Sequence, residues 1–338
     1  MFNRIRKINS VAVPTPARAY HGPAMAGIEW DEAEDALILN PDGVTRTLHA
    51  NPRPLRTPLY VDTNVTTSGT GKAWGVALKT MAEAFALVES GGVIFFVGNV
   101  TEHLITPLGA QNVSIIGATT NPRHADTHPL NGETSGATWK SAGTNSPLLT
   151  VRNSGWRLVN ILFAAHASNY ALELQRNALE DAGEYDASHL QVVGCRFASG
   201  AGGINDTGGC FNVQLYDNHF MTLTSWCVLG VGNIGVGQSN WHVVGNRFLE
   251  FTNGVKIAGF QCVIRDNYFT DGGTPNTTVV LNTSNGGGAN NFVVDNYFQT
   301  ATANFNTPDV VGAATDVWNN TSIDGQASSI GREVGQPA

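Results

Sequence analysis

Charge is what this sequence has least of: Asp, Glu, Lys and Arg together make up 14% of its 338 residues. The 19 basic residues are outnumbered by 27 acidic ones, for a formal net charge of −8. They form no basic run interleaved with aromatics, so the electrostatic footprint of a nucleic-acid binder is missing. Cysteine is scarce too. Cys195, Cys210, Cys227 and Cys262 lie scattered, with no Cys-x-x-Cys and no paired histidine ligands. That argues against a zinc site and implies no disulfide framework; four buried free thiols are expected. No stretch approaches the roughly 18 apolar residues of a membrane span. The basic start Met1-Phe-Asn-Arg-Ile-Arg-Lys7 and the segment Ala17-Arg-Ala19 mimic parts of a secretory leader. The apolar region between them is missing, so no secretory signal is read.

What the chain has in excess is glycine, 38 residues, with frequent Asn and Thr. This is the composition of a turn-rich β protein. It also repeats a phrase: Leu215-Tyr-Asp-Asn-His-Phe220, Val243-Val-Gly-Asn-Arg-Phe248, Ile264-Arg-Asp-Asn-Tyr-Phe269 and Val293-Val-Asp-Asn-Tyr-Phe298. Val192-Val-Gly-Cys-Arg-Phe197 precedes it as a weaker copy and Val317-Trp-Asn-Asn-Thr-Ser322 follows as a degenerate one. The column holding Asn passes through positions 195, 218, 246, 267, 296 and 320, at intervals of 23, 28, 21, 29 and 24 residues. A period in that range is the signature of a solenoid.

The columns have physical meanings. The first is apolar throughout (Val192, Leu215, Val243, Ile264, Val293, Val317), as suits a strand side chain pointing into a core. The residue before the Asn column is always Gly, Asp or Asn. Those three tolerate a left-handed backbone, so a fixed turn is expected there. The Asn column should point inward and satisfy backbone groups of adjacent rungs, and the Phe column should stack on itself inside.

Residues 1–58 are different in tone, rich in proline and carrying an acidic cluster, Glu29-Trp-Asp-Glu-Ala-Glu-Asp35. Within them, Ala36-Leu-Ile-Leu and the segment after Asn40-Pro-Asp-Gly43 predict a hairpin spanning residues 36–48. This arm is too small to build a core and is expected to dock on something else. Further on, Trp74, Ala77, Leu78, Met81, Ala84, Phe85 and Val88 fall at helical spacing. They predict a helix over about 74–89, ended by Gly91-Gly92 and covering the open end of the solenoid. Gly69-Thr-Gly-Lys72 lacks the first glycine and the Ser/Thr of a phosphate loop, and is read as a loop entering that helix. Loop-rich excursions are expected at 121–147 and 177–189, and a polar tail at 326–338.

Candidate chemistry is sparse. Asp266 and Asp295 share a column in successive copies, where neighbouring rungs lie about 4.8 Å apart. That is close to the roughly 5 Å of a retaining glycosidase pair. They are the sharpest enzymatic alternative, but the same column holds Gly194, Gly245 and Asn319, as a turn would. Glu180, Asp181, Glu184 and Asp186 are candidates for a calcium site or for a catalytic pair with Asp206, but without the spacing of a calcium loop they read as a solvated polar loop. His124 and His128 are four apart in a proline-flanked loop rather than on a helix face. His219 and Arg247 fall in the column of Tyr268 and Tyr297, which is expected to face outward as a contact surface. No catalytic residue, cofactor or metal is assigned.

Ser68-Gly-Thr-Gly-Lys-Ala-Trp74, the helix that follows, Gly91-Gly-Val-Ile-Phe-Phe-Val97, Thr101-Glu-His-Leu104 and Asn112-Val-Ser-Ile-Ile-Gly117 resemble the opening of right-handed parallel β-helix proteins of the pectate-lyase-like superfamily. The Asn-x-Phe repeats look like that family's coils, and the resemblance covers about 60–325. It implies an all-β fold: a right-handed, single-stranded parallel β-helix over 59–325, with nine or ten rungs, an N-terminal capping helix and an extended N-terminal arm at 1–58. With that arm, the chain resembles a bacteriophage virion protein of the tailspike, head-fibre or decoration type. Such a resemblance implies a non-enzymatic structural protein located in the virion. It implies a homotrimer that docks on other virion proteins through residues 1–58, with an outer face open to host surface polysaccharide. No nucleic-acid or membrane partner is implied. The enzymatic alternative is a tailspike depolymerase.

Overall fold

The structure, a computed structural model, describes residues 28–31, 36–39, 46–49, 58–118, 136–175, 187–230, 238–270, 278–282, 291–299, 315–318 and 321–322. The chain divides into two compact units, Met1–Arg56 and Thr57–Ala338.

In the first unit the expected hairpin forms. Ala36–Leu39 and Arg46–His49 pair antiparallel, from Leu39 opposite Arg46 to Ala36 opposite His49. A third strand, Ile28–Asp31, pairs with the other edge of Ala36–Leu39. Glu29 and Asp31, read above as part of an acidic cluster, therefore lie in a strand. The alternation of Ile28 and Trp30 with these acids is the period-2 signal of a strand.

Among the described residues, the second unit is mostly β, with one α-helix and long parallel sheets wound as a solenoid of three faces. The first face stacks ten strands: Leu59–Asp62, Val93–Val100, Ser114–Gly117, Arg157–Val159, Gln191–Val193, Gln214–Tyr216, His242–Val244, Val263–Arg265, Asn291–Val294 and Thr315–Trp318. The second face runs from the end of Val93–Val100 through Ala137–Lys140, Leu162–Ala164, Arg196–Ala198, His219–Met221, Arg247–Leu249, Tyr268–Thr270 and Tyr297–Gln299 to Thr321–Ser322. The third begins at Leu104–Ile105 and ends at Thr278–Asn282. Each strand pairs in parallel with its equivalent one coil on, as in Leu215↔Val243 and Phe220↔Phe248.

The interior is a set of columns. Leu158, Val192, Leu215, Val243, Ile264 and Val293 are buried in register on the first face. On the second face the rings of Phe163, Phe197, Phe220, Phe248 and Phe269 stack at centroid distances of 5.1, 4.7, 5.0 and 4.5 Å, the last three pairs within 6° of parallel. The strand spacing of about 4.8 Å holds them at offset-stacking distance. Trp139 extends the column, 6.2 Å from Phe163. The side chain of Phe298 lies outside the described residues.

Trp139 and its strand Ala137–Lys140 stand where a loop was expected over 121–147. Only four residues long, the strand carries little periodic signal, and its register with Gly98–Val100 and Leu162–Ala164 decides it. The tail at 326–338 lies outside the described residues.

The helix is shorter than expected. Trp74–Val76 is a single 3₁₀ turn, and α1 spans Met81–Leu87. Leu78 forms a parallel bridge with Val61, which interrupts the helical run. Trp74, expected on the core face, is 41% exposed and packs edge-on against Tyr60. The N-terminus is fixed by a capping box: Thr80 Oγ1 accepts from Glu83 N–H, and the Glu83 carboxylate accepts from Thr80 N–H. Desolvation pushes the Glu83 carboxyl up, but bonds from Ser68, Thr80 and Lys79 outweigh it and hold it low. Glu102 supplies a second carboxylate, accepting from Met81 N–H at 2.7 Å and Ala82 N–H at 3.0 Å. Such anionic acceptors suit a helix start, where backbone donors are unpaired. Met81, Ala84 and Phe85 are buried, and Phe85 meets Trp139 and Trp156. Val88 ends the helix, ahead of Gly91-Gly92. In the preceding loop, the amides of Gly69 and Gly71 donate to Ala77 and Val76 carbonyls.

All four cysteines are free and buried, as expected. Burial pushes the Cys195 thiol up to about 12 and that of Cys262 to about 11.

Candidate functional site: the corners and outer faces

The repeated phrase forms the corner between the first and second faces. Asn160, Gly194, Asp217, Gly245, Asp266 and Asp295 all have positive φ, between 54° and 69°. The turn column is therefore real, and Asn160 belongs to it rather than to the ladder. Beside it, Asn218, Asn246, Asn267 and Asn296 are buried and chained. The Oδ1 of Asn246 accepts from Asn218 N–H at 2.8 Å and Nδ2 at 3.0 Å. Asn267 serves Asn246 in the same way, and Asn296 serves Asn267. Each Nδ2 also donates to a first-face carbonyl, Val192, Leu215, Val243 or Ile264. At the earlier end Cys195 takes the column, its amide donating to Asn218 Oδ1. Asn320 lies outside the described residues.

Asp266 and Asp295 are exposed members of the turn column. Their rungs are neighbours, since Tyr268 pairs with Tyr297. The Asp266 carboxylate holds Arg265 Nε at 3.0 Å. Asp206 is buried, and its oxygens accept from the amides of Gly208, Gly209 and Cys210. It organises the turn after its strand. Glu180, Asp181, Glu184, Asp186, His124 and His128 lie outside the described residues. Among the described residues, no three of His, Cys, Asp and Glu gather as a metal site.

The outward column of the second face runs Arg196, His219, Arg247, Tyr268, Tyr297 in register. It splits in two. Arg196 is 5% exposed, with its guanidinium against the sulfur of Met221. Arg247 is exposed, lies 5.4 Å over the Tyr268 ring, and Tyr268 stacks on Tyr297 at 4.9 Å.

The corner between the third and first faces was not legible in the repeat. It has its own positive-φ column: Asn112, Gly155, His189, Asn212, Asn240 and Gln261. Here the side chains point out. Asn212 Nδ2 meets His189 Nε2 at 3.0 Å, Asn240 Nδ2 donates to Asn212 Oδ1, and His242 Nε2 meets Asn240 Oδ1 at 3.3 Å. Because an amide nitrogen only donates and an amide oxygen only accepts, the imidazoles are fixed. His189 accepts at Nε2 and donates from Nδ1 to Ser154 Oγ, 3.2 Å away. His242 donates from Nε2. Burial, with the Arg265 charge beside it, holds the His242 imidazole below its ordinary value. The hint in the sequence is weak: a polar residue (Arg157, Gln191, Gln214, His242) precedes the apolar column in four successive strands, but Val263 and Phe292 stand there in the next two.

The fold and these corners define the second unit as a parallel β solenoid. No protein-family model matches the chain, and no curated protein matches it.

Proposed function

We propose that this chain is a bacteriophage virion protein without catalytic activity. In this reading the solenoid is a right-handed, single-stranded parallel β-helix of the pectate-lyase-like superfamily, with α1 as its cap. The N-terminal arm plants the protein on capsid or tail as a homotrimer, and the solenoid presents its outer surface to host polysaccharide. The observation that carries the reading is the division of the chain: a small antiparallel unit within Met1–Arg56, and a solenoid whose most recurrent polar residues are committed to its own corners. A three-stranded sheet of four-residue strands has little core of its own, which suits a docking element.

Deletion of residues 1–58 tests the reading. The truncated protein should fold, remain trimeric by light scattering, and be lost from virions; unchanged incorporation would remove the arm's role. The depolymerase alternative is favoured by one observation, the exposure of Asp266 and Asp295 in neighbouring rungs. Incubation with host capsule or lipopolysaccharide separates the two. Shortened chains that stay intact with Asp266→Ala or Asp295→Ala would establish the enzyme instead.

A further inference from the structure

Six large apolar side chains stand exposed among the described residues, and four of them (Trp74, Val76, Leu87, Ile105) belong to the first rungs and the helix. The other two, Phe211 at 37% and Phe260 at 38%, occupy one column of the corner between the third and first faces. Ser239 separates them. The amide of Asn212, next to Phe211, donates to Ser239 O, and Ser239 pairs in register with Phe260. Two rungs put the rings roughly 10 Å apart with a small hydroxyl residue between. Phe211 is held in place by His189, whose ring meets it edge-on at 5.5 Å.

Beside this aromatic column runs the outward amide ladder, Asn212, Asn240 and then Gln261. A primary amide has two N–H donors and two carbonyl lone pairs. Asn212 spends one donor on His189 and one lone pair on Asn240; Asn240 spends one donor on Asn212 and one lone pair on His242. Each keeps a donor and an acceptor for a ligand, already oriented by its neighbours, so little ordering cost remains on binding.

We infer that this corner binds an uncharged glycan chain laid parallel to the solenoid axis. A sugar ring offers an apolar C–H face and a rim of hydroxyls. Phe211 and Phe260 would each take the face of one sugar, with the shorter Ser239 making room between them. The hydroxyls at the rim would meet amide donors and acceptors rather than charges. The ladder is built of amides, a hydroxyl and imidazoles, which fits neutral sugars better than uronic or sialic acids. Exposed Arg247 lies on the second face, and exposed Arg265, the charge beside His242, is paired with the Asp266 carboxylate. This inference rests on the adhesive part of the function proposed above and names its ligand class and place.

The test uses the full chain and saturation-transfer NMR. The probes are four neutral hexasaccharides (of α1,4-glucose, β1,4-glucose, β1,4-N-acetylglucosamine and mannose) and one hexuronate. At least one neutral hexamer should receive saturation on one face of its rings. Phe211→Ala and Phe260→Ala should each weaken it by roughly tenfold. Asn240→Ala should weaken it less, and all three variants should melt with the parent, because the changed side chains are exposed. Binding of none of the neutral hexamers would overturn the inference. So would binding that survives the Phe211→Ala/Phe260→Ala double variant, or binding of the hexuronate alone. None of these results touches virion incorporation through residues 1–58, so the glycan site can fail while the docking role stands.

Discussion

Two corners of the same coil carry asparagine ladders turned in opposite directions. At the corner between the first and second faces, the positive-φ residue is Gly, Asp or Asn and points away, while the next residue, Asn, turns inward and chains from Asn218 to Asn296. At the corner between the third and first faces the positive-φ residue is itself the amide, and its side chain runs along the surface through Asn212 and Asn240. The geometry differs by one residue, and the energetics follow burial. A buried amide must find all its partners inside the protein; an exposed one can exchange them with water at little cost. The inner ladder should therefore govern stability and the outer one recognition.

Substitutions can break this contrast in order of severity. Phe248→Ala removes a ring stacked on both sides and should cost about 3–5 kcal/mol in denaturant unfolding. Asn246→Ala leaves the backbone and side-chain donors of Asn218 without their acceptor and Leu215 O without its donor. It should cost about 3 kcal/mol, whereas Asn240→Ala in the outer ladder should stay within about 0.5 kcal/mol. Equal losses from the two asparagines would abolish the distinction. Gly245→Ala places a Cβ 2.8 Å from Asp217 Oδ1 at a φ of 69° and should cost about 1 kcal/mol. Asp266→Gly in the same column should be neutral within about 0.5 kcal/mol.

The buried thiols give a control in which nothing should happen. At pH 8, iodoacetamide should label none of the four cysteines until the protein unfolds, because all four are buried away from the reagent. Raised thiol values also set a sign for alkaline stability. Below the ordinary 9.0 both states are protonated; above it the unfolded thiol ionises first. Stability should fall as pH rises from 9.0 towards about 11 for Cys262 and about 12 for Cys195. A urea midpoint that holds steady from pH 9 to pH 11 would contradict the buried placement.

The first corner was legible in the sequence because one phrase carries an apolar column, a turn residue, an inward amide and a ring, all at fixed offsets. Asn218, Phe220, Asn246 and Phe248 could be placed from that alone. The second corner was not, because its turn column accepts Gly155, His189, Asn212, Asn240 and Gln261 in turn. An exposed position constrains side-chain chemistry weakly, so no single residue type repeats. The helix falls short of its expected span for a related reason. The apolar spacing of Trp74, Ala77 and Leu78 matched a helix, but a strand bridge at Leu78 satisfied the backbone first. The capping box from Thr80 to Glu83 marked the true start and was available in the sequence. Whether Asp266 and Asp295 form a reactive pair turned on the same column argument, which the backbone at both residues supports as a turn.

The three sheets share one direction of hydrogen bonding with the corners. Asp217 N–H donates to Val244 O, Thr222 N–H to Leu249 O and Asn212 N–H to Ser239 O, each bridging to the next coil just as the strand pairs do. Tension along the solenoid therefore falls on every bond of a coil boundary at once, while a pull at one edge opens them singly. Such a rod resists stretching and yields to peeling, and the way its ends are held sets how much force it can carry.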